Sequence, residues 1–168
     1  MEQFRYCPMC ATLLSRAQVE DTERSVCVRC NWINYLNPRP VVCAIPVAAD
    51  GRVALVKRGV EPAKGTWALP GGFMELNEEP AAACARELLE ETGLEAAELV
   101  LIDALHQKSG RYGSVVVIGY EAKIVDTAGA APGDDAQDVC WADQANMPEM
   151  PFVSYQKIVE IWRRRQSF

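Results

Sequence analysis

The segment from Asn77 to Thr92 constrains this chain most, because it reads as a helix whose two sides need different surroundings. Asn77 is a good N-cap residue, Pro80 falls in the first turn where a missing N–H does no harm, and Gly93 is placed to end the helix in a left-handed conformation. Glu78 and Glu79 complement the positive helix end. At about 100° per residue, Ala81, Ala82, Ala85, Leu88 and Leu89 share one face, which must pack on a sheet. Glu87, Glu90 and Glu91 fall together on the opposite face at i, i+3 and i+4, so their carboxylates are expected to converge. Each like-charge pair costs about 0.2–0.5 kcal/mol on an exposed helix. Hard divalent cations such as Mg2+ or Mn2+ would turn that repulsion into attraction, since they prefer carboxylate oxygens. On spacing alone a solvated acidic face is the commoner meaning of three glutamates; the rest of the chain decides between the two.

Strand signals surround this helix. Val41–Ala48 is an apolar, β-branched run, Asp50-Gly51 is a hairpin turn signal, and Arg52–Lys57 reads as the partner strand. Thr66–Leu69 is a short strand, Leu99–Gln107 and Ser114–Val125 are two longer ones, and Val139–Trp141 closes the set after an acidic loop at Ala128–Asp138. Tyr155, Ile158, Val159 and Trp162 follow the helical i, i+3, i+4, i+7 rule near the C-terminus. Mixed strands with one central and one terminal helix predict an α/β sandwich.

The first thirty residues follow a different logic. Cys7-Pro-Met-Cys10 and Cys27-Val-Arg-Cys30 are two Cys-x-x-Cys knuckles, the spacing of a tetrahedral four-thiolate Zn2+ site. So short a segment cannot bury a core of its own, and a metal staple supplies what packing cannot. A closed four-ligand site is structural rather than catalytic. Residues 1–36 are therefore expected to form a zinc ribbon and 37–168 the main domain. Cys43, Cys84 and Cys140 sit among apolar neighbours as inert thiols.

Gly72, Glu78, Arg86-Glu87-Leu88, Glu90-Glu91 and Gly93-Leu94, at these separations, resemble the Nudix box at every defining position, and Gly65-Thr66-Trp67-Ala68-Leu69-Pro70-Gly71 resembles its usual lead-in. With the ribbon, the chain is similar to zinc-ribbon Nudix hydrolases, including NADH pyrophosphatases and a group acting on FAD and ADP-ribose. The resemblance implies a Nudix-type α/β/α sandwich with a mixed sheet. It implies that Glu87, Glu90 and Glu91, with the Gly71 carbonyl, hold Mg2+ or Mn2+, and that Glu78 pairs with Arg86 to position them. The catalytic set it implies is thus Glu87, Glu90, Glu91, Arg86 and Glu78. The resemblance leaves the base open: a box glutamate could serve, or an acid outside the box, for which, as for an extra ligand, Asp138 and Glu121 are the leading candidates, beside Asp134 and Asp135.

Lys and Arg total 17 against 23 Asp and Glu, a formal charge of −6, which makes the chain a poor general binder of nucleic acid. No apolar run approaches the roughly 18–20 residues of a membrane span, and the N-terminus lacks the pattern of an export signal. The expectation is a cytoplasmic enzyme, with homodimerisation carried over from the resembling group. Its substrate would be a nucleoside diphosphate linked to another moiety, FAD or ADP-ribose. Leu105-His106-Gln107-Lys108-Ser109-Gly110 stands where NADH pyrophosphatases carry a motif beginning Ser-Gln-Pro, which counts against NADH. An oxidised nucleoside triphosphate would use the same metal face. A non-catalytic nucleotide-sensing regulator is the alternative of another class; it predicts damaged box carboxylates, whereas these are intact. Trp67, Phe73, Tyr112 and Phe152 are candidates to stack on a ring, and Arg39, Arg58, Lys64 and Arg111 to meet phosphates.

Overall fold

Two compact units divide the chain, one ending at Pro38 and the other beginning at Arg39. The computed structural model describes residues 4–166. In the first unit, β1 (Ser15–Val19), β2 (Thr22–Val26) and β3 (Ile33–Asn34) form a three-stranded antiparallel sheet. The two knuckles fold alike. Ala11 N–H donates to Cys7 O and Asn31 N–H to Cys27 O, both at 2.9 Å; Cys7 N–H reaches Thr12 O and Cys27 N–H reaches Trp32 O, both at 2.8 Å. Ala11 and Asn31 take the same left-handed conformation, with φ of 56° and 60°.

The second unit contains β4 (Arg39–Ala48), β5 (Val53–Arg58), β6 (Trp67–Ala68), α1 (Pro80–Thr92), β7 (Ala96–Ser109), β8 (Gly113–Ile124), β9 (Ala136–Ala142) and α2 (Val153–Gln166). Its mixed six-stranded sheet runs β6-β5-β4-β8-β7, with β9 also paired to β5. The β4–β8 pair is parallel, in register from Arg39 with Val115 to Ala48 with Ile124, and the other pairings are antiparallel. A strand covered on both faces reads as a continuous apolar run, and β4 shows it. Cys43 and Ile45 join Val53, Leu55, Val117, Ile158 and Trp162 beneath α2, whereas Val42 and Ala44 join Ala54, Ala83, Cys84 and Leu88 beneath α1. Helix, sheet and helix thus form three layers. On α2 the four apolar residues read from the periodicity are all buried.

Two details of α1 differ from the sequence reading. The helix begins at Pro80, not Asn77; Glu79 is its extended N-cap residue without a side-chain cap, and Asn77 lies in a turn at φ 64°. Glu78 is withdrawn from the helix end by Arg86. The packed face is also rotated. Ala83, Cys84, Leu88, Glu91 and Thr92 are buried, while Ala81, Ala82 and Leu89 are exposed. Small residues line most of the first two turns, so several faces could approach a sheet closely, and tertiary contacts selected this one. The C-terminus follows expectation: Gly93 is left-handed at φ 68° and its N–H donates to Leu89 O.

Candidate active site

A cavity of about 540 Å³ opens in the second unit where the Gly71-Gly72 turn meets the last turns of α1. Backbone excludes a side chain at Gly71, and at Gly72 a side chain would displace the Glu87 carboxylate. A Cβ on Gly71, whose φ is 153°, would lie 2.2 Å from Val42 O, and one on Gly72 would lie 2.4 Å from Glu87 Oε2. This close packing brings the Gly71 N–H to Glu91, which it meets through a 2.9 Å bond to Oε2. Glu91 is only 5% exposed. Burial pushes its carboxyl up to about 8 against the opposing effect of that N–H, with the nearby charges of Asp135 and Glu87 pushing the same way. Burial also raises Glu87, with Arg86 opposing it. Glu91 has one neutral hydrogen-bond donor and two acidic neighbours, and the charge of Arg58 is the weakest influence on it, so a hard divalent cation fits that donor set.

Arg86 organises the rest. Its Nε and Nη2 grip both oxygens of Glu78 at 2.8 and 2.9 Å, its Nη1 reaches Glu87 at 2.8 Å and Glu90 at 3.0 Å, and Nη2 also donates to Phe73 O at 3.2 Å. The bidentate bond, helped by the Glu75 N–H, holds the Glu78 carboxyl down at about 2. One guanidinium thus ties the turn before α1 to the helix and aligns two of its acids.

The three glutamates are neighbours on α1 but differ in burial. Glu91 lies on the packed side, Glu87 at the cavity wall with a side chain 12% exposed, and Glu90 outside it, 45% exposed and held by Arg86. The expectation that all three lie opposite the packed face is therefore corrected. Among the described residues, the group of three or more His, Cys, Asp or Glu with ligand atoms mutually within 4.8 Å is the cysteine quartet instead.

Two acids reach the cavity from a loop. Asp134 and Asp135 line it. They are carried there because Ala131 N–H bonds Thr92 O at 2.9 Å and Gly133 N–H bonds Glu91 O at 3.2 Å, fastening the loop to the open carbonyls at the end of α1. The leading candidates lie elsewhere. Asp138 sits in the β5–β9 ladder opposite Lys57, exposed, with its own carboxylate accepting from Val139 N–H. Glu121 faces α2 and accepts from Trp162 Nε1 at 2.9 Å and Gln166 at 3.1 Å. Neither lines the cavity.

Phe73, Tyr112, Phe152, Arg58 and Arg111 do line it. Phe73 and Tyr112 meet edge to face at 4.9 Å, Arg39 lies over Tyr112 at 4.7 Å, and Arg58 lies over Phe152 at 5.3 Å. Trp67 packs against the core instead, and Lys64 lies outside the lining. Sequence reading did not single out Gln107, Ser109 or Tyr155 as lining residues. The i, i+2 spacing of Gln107 and Ser109 on one strand was the available signal, since alternate strand residues share a face.

In the first unit, Cys7, Cys10, Cys27 and Cys30 cluster with Sγ–Sγ separations of 3.5 Å for Cys7–Cys30, 3.4 Å for Cys10–Cys27 and 3.6 Å for Cys10–Cys30. Tetrahedral bonds of about 2.3 Å place sulfurs about 3.8 Å apart, so the quartet fits one ion of zinc's size. The Thr12 hydroxyl and N–H hold the Cys10 thiol down to about 6, toward the thiolate that metal binding needs.

Comparison with known proteins matches residues 37–159 to the NUDIX domain. The chain belongs to the NUDIX family. An ADP-ribose pyrophosphatase of Methanocaldococcus jannaschii is 35% identical over 134 residues, covering 77% of this chain and 76% of that protein. The NAD-capped RNA hydrolase NudC of Pseudomonas aeruginosa is 27% identical over 88% of this chain, which spans 50% of NudC. Among solved structures, a NUDIX hydrolase from Nitrosomonas europaea matches with a TM-score of 0.78 at 26% identity, over 97% of this chain and 93% of that one. The NUDIX domain of Shewanella oneidensis NrtR, complexed with ADP ribose, matches with a TM-score of 0.69 at 25% identity, over 79% and 90%. Family and relatives together make the chain a pyrophosphohydrolase. No helix among the described residues is long and apolar enough to cross a membrane.

Proposed function

We propose that this NUDIX hydrolase uses Mg2+ or Mn2+ to cleave the diphosphate of a nucleoside diphosphate linked to a further moiety, with ADP-ribose ahead of FAD. One observation carries the reading: Glu91 is a buried carboxylate beside Glu87 at the wall of a cavity large enough for a nucleotide. The similarity to an ADP-ribose pyrophosphatase and to a NUDIX domain holding ADP ribose supports this substrate class.

Glu87, Glu91 and the Gly71 carbonyl would hold the cation, with Glu90 joining from the outer side. When bound, it offsets diphosphate charge and makes a water more acidic. Arg86 keeps Glu87 and Glu90 in fixed orientations, and Glu78 keeps Arg86 in place. The hydrolysis adds one water across the P–O–P linkage. Its oxygen ends on one phosphorus, the bridging oxygen leaves with the other, and a cavity acid takes the proton. Asp135 is better placed for that than Asp138 or Glu121, because it lines the cavity and lies close enough to Glu91 to raise its pKa. The cysteine quartet would hold one Zn2+ as a staple for the first unit, with domain limits of 1–36 and 37–168. The family match beginning at residue 37 and the division after Pro38 support these limits.

The test is a screen of ADP-ribose, FAD, NADH and 8-oxo-dGTP with Mg2+ or Mn2+ and identification of products. Release of AMP from ADP-ribose that vanishes in Glu91→Gln and Glu87→Gln is expected. Full turnover in both variants would refute the metal assignment.

A further inference from the structure

Part of the cavity lining away from α1 consists of hydrogen-bond donors, and one of them has a fixed polarity. Gln107 and Ser109 alternate along β7, Arg111 follows in the turn before β8, and all three line the cavity. Gln107 Oε1 accepts from Ser154 N–H at 3.1 Å and from Ser154 Oγ at 2.6 Å. A backbone N–H can only donate, so the oxygen must point to Ser154 and the amide NH2 must point away from it. Among the described residues none accepts from that NH2. Ser109 Oγ accepts from Tyr112 N–H at 3.2 Å, which leaves its own hydrogen to donate. Arg111 has donors only. Beside this row stand the Phe73 and Tyr112 rings, which offer an apolar face to a flat group.

We infer that Gln107 is a specificity-determining residue: its locked amide donates to an in-plane acceptor, a carbonyl oxygen or ring nitrogen, on the nucleobase or flavin of the substrate. The inference rests on the hydrolase reading above. Diphosphate and cation occupy the glutamate side, so the ring system extends to the donor side. A free glutamine amide could turn to read either an acceptor or an amino group. Here Ser154 removes the second option, so a base is recognised by what it accepts.

The same glutamine also serves the fold, since Ser154 N–H belongs to the first turn of α2. Gln107→Glu separates the two roles. A carboxylate keeps both bonds from Ser154 and suits a helix N-terminus, but it cannot donate. The expected result is a melting temperature equal to or above wild type, KM for ADP-ribose and FAD raised about three- to tenfold, and kcat changed less than about twofold. The KM effect should persist at about 1 M salt, where charges are screened within about 3 Å, and should recur in the uncharged Gln107→Met. A similar rise for both substrates places the acceptor on adenine, which they share, and a rise confined to FAD places it on the flavin carbonyls.

Four results would overturn the inference: KM unchanged in both variants on every substrate that wild type hydrolyses, an effect on kcat alone, a KM rise in Gln107→Glu that high salt abolishes, or a rise in Gln107→Glu that Gln107→Met does not share. If wild type turns over nothing, the hydrolase reading fails by itself. Equilibrium binding of ADP-ribose and FAD to wild type and Gln107→Glu then decides about Gln107, with equal affinities or no binding counting against it.

Discussion

Replacing Glu91 by Gln should make the cation-free protein more stable, and by an amount that grows with pH. The isosteric amide keeps an oxygen for the Gly71 N–H bond and removes the titration. Below pH 4.5, the ordinary value of the group, the carboxyl is neutral in folded and unfolded chains alike, and no difference is expected. Between 4.5 and about 8 the unfolded chain gives up the proton while the folded one keeps it, so wild-type stability falls as pH rises. Above about 8 the loss is complete. At about 1.36 kcal/mol per pH unit, that interval sets an upper bound of about 5 kcal/mol. With about 2–4 °C of melting temperature per kcal/mol for a chain of this size, the variant should melt above wild type by up to about 10–20 °C at pH 9 and by almost nothing at pH 4.5. The assay is thermal unfolding followed by circular dichroism from pH 4.5 to 9 in protein dialysed free of Mg2+ and Mn2+. Adding Mg2+ should raise the melting temperature of wild type and flatten its pH slope, because the cation favours the ionised form, and should do little to the variant. Parallel curves across the pH range, or equal Mg2+ stabilisation of both proteins, would refute the view of Glu91 as a buried acid that lacks a cation.

Further outcomes follow from the same geometry. Arg86→Ala should raise the Mg2+ concentration for half-maximal activity about 10–100-fold, because Glu87 and Glu90 lose their common anchor; a Mg2+ titration of initial rates checks it. Asp135→Asn should lower kcat at least about a hundredfold, while Asp138→Asn and Glu121→Gln should stay within about twofold of wild type, since neither side chain lines the cavity. Metal analysis should find one zinc per chain in wild type and none in Cys27→Ser, and limited proteolysis of that variant should cut between residues 11 and 30, where an unstapled ribbon has little core to protect it.

The sequence by itself determined much of this protein. The apolar run of β4, buried on both faces, and the Tyr155-Ile158-Val159-Trp162 stripe of α2 follow from residue type and period alone. The two knuckles specify their cysteine quartet because a Cys-x-x-Cys turn closes locally. The contact of Glu78 with Arg86 was implied by the resemblance to the Nudix box. Residues close in sequence, or bound to a fixed spacing, leave a pattern that can be read.

Only the tertiary structure decided which side of α1 is buried, and with it the different surroundings of Glu87, Glu90 and Glu91. Pro80-Ala-Ala-Ala-Cys-Ala opens the helix with small side chains on nearly every side, so its pattern does not choose a face; the sheet and the Gly71-to-Glu91 bond choose it. Which of the four candidate acids reaches the cavity was undecided in the sequence for a related reason. Asp134 and Asp135 are brought in by backbone bonds from Ala131 and Gly133 to the end of α1, and such bonds leave no side-chain signature. Asp138, a few residues beyond these acids on β9, and Glu121, on β8, are directed by strand register and α2 packing toward other partners. The polarity of Gln107 depends on Ser154, 47 residues further along the chain. A contact across that separation exists only after the sheet and α2 have assembled, because no local preference of either residue encodes it.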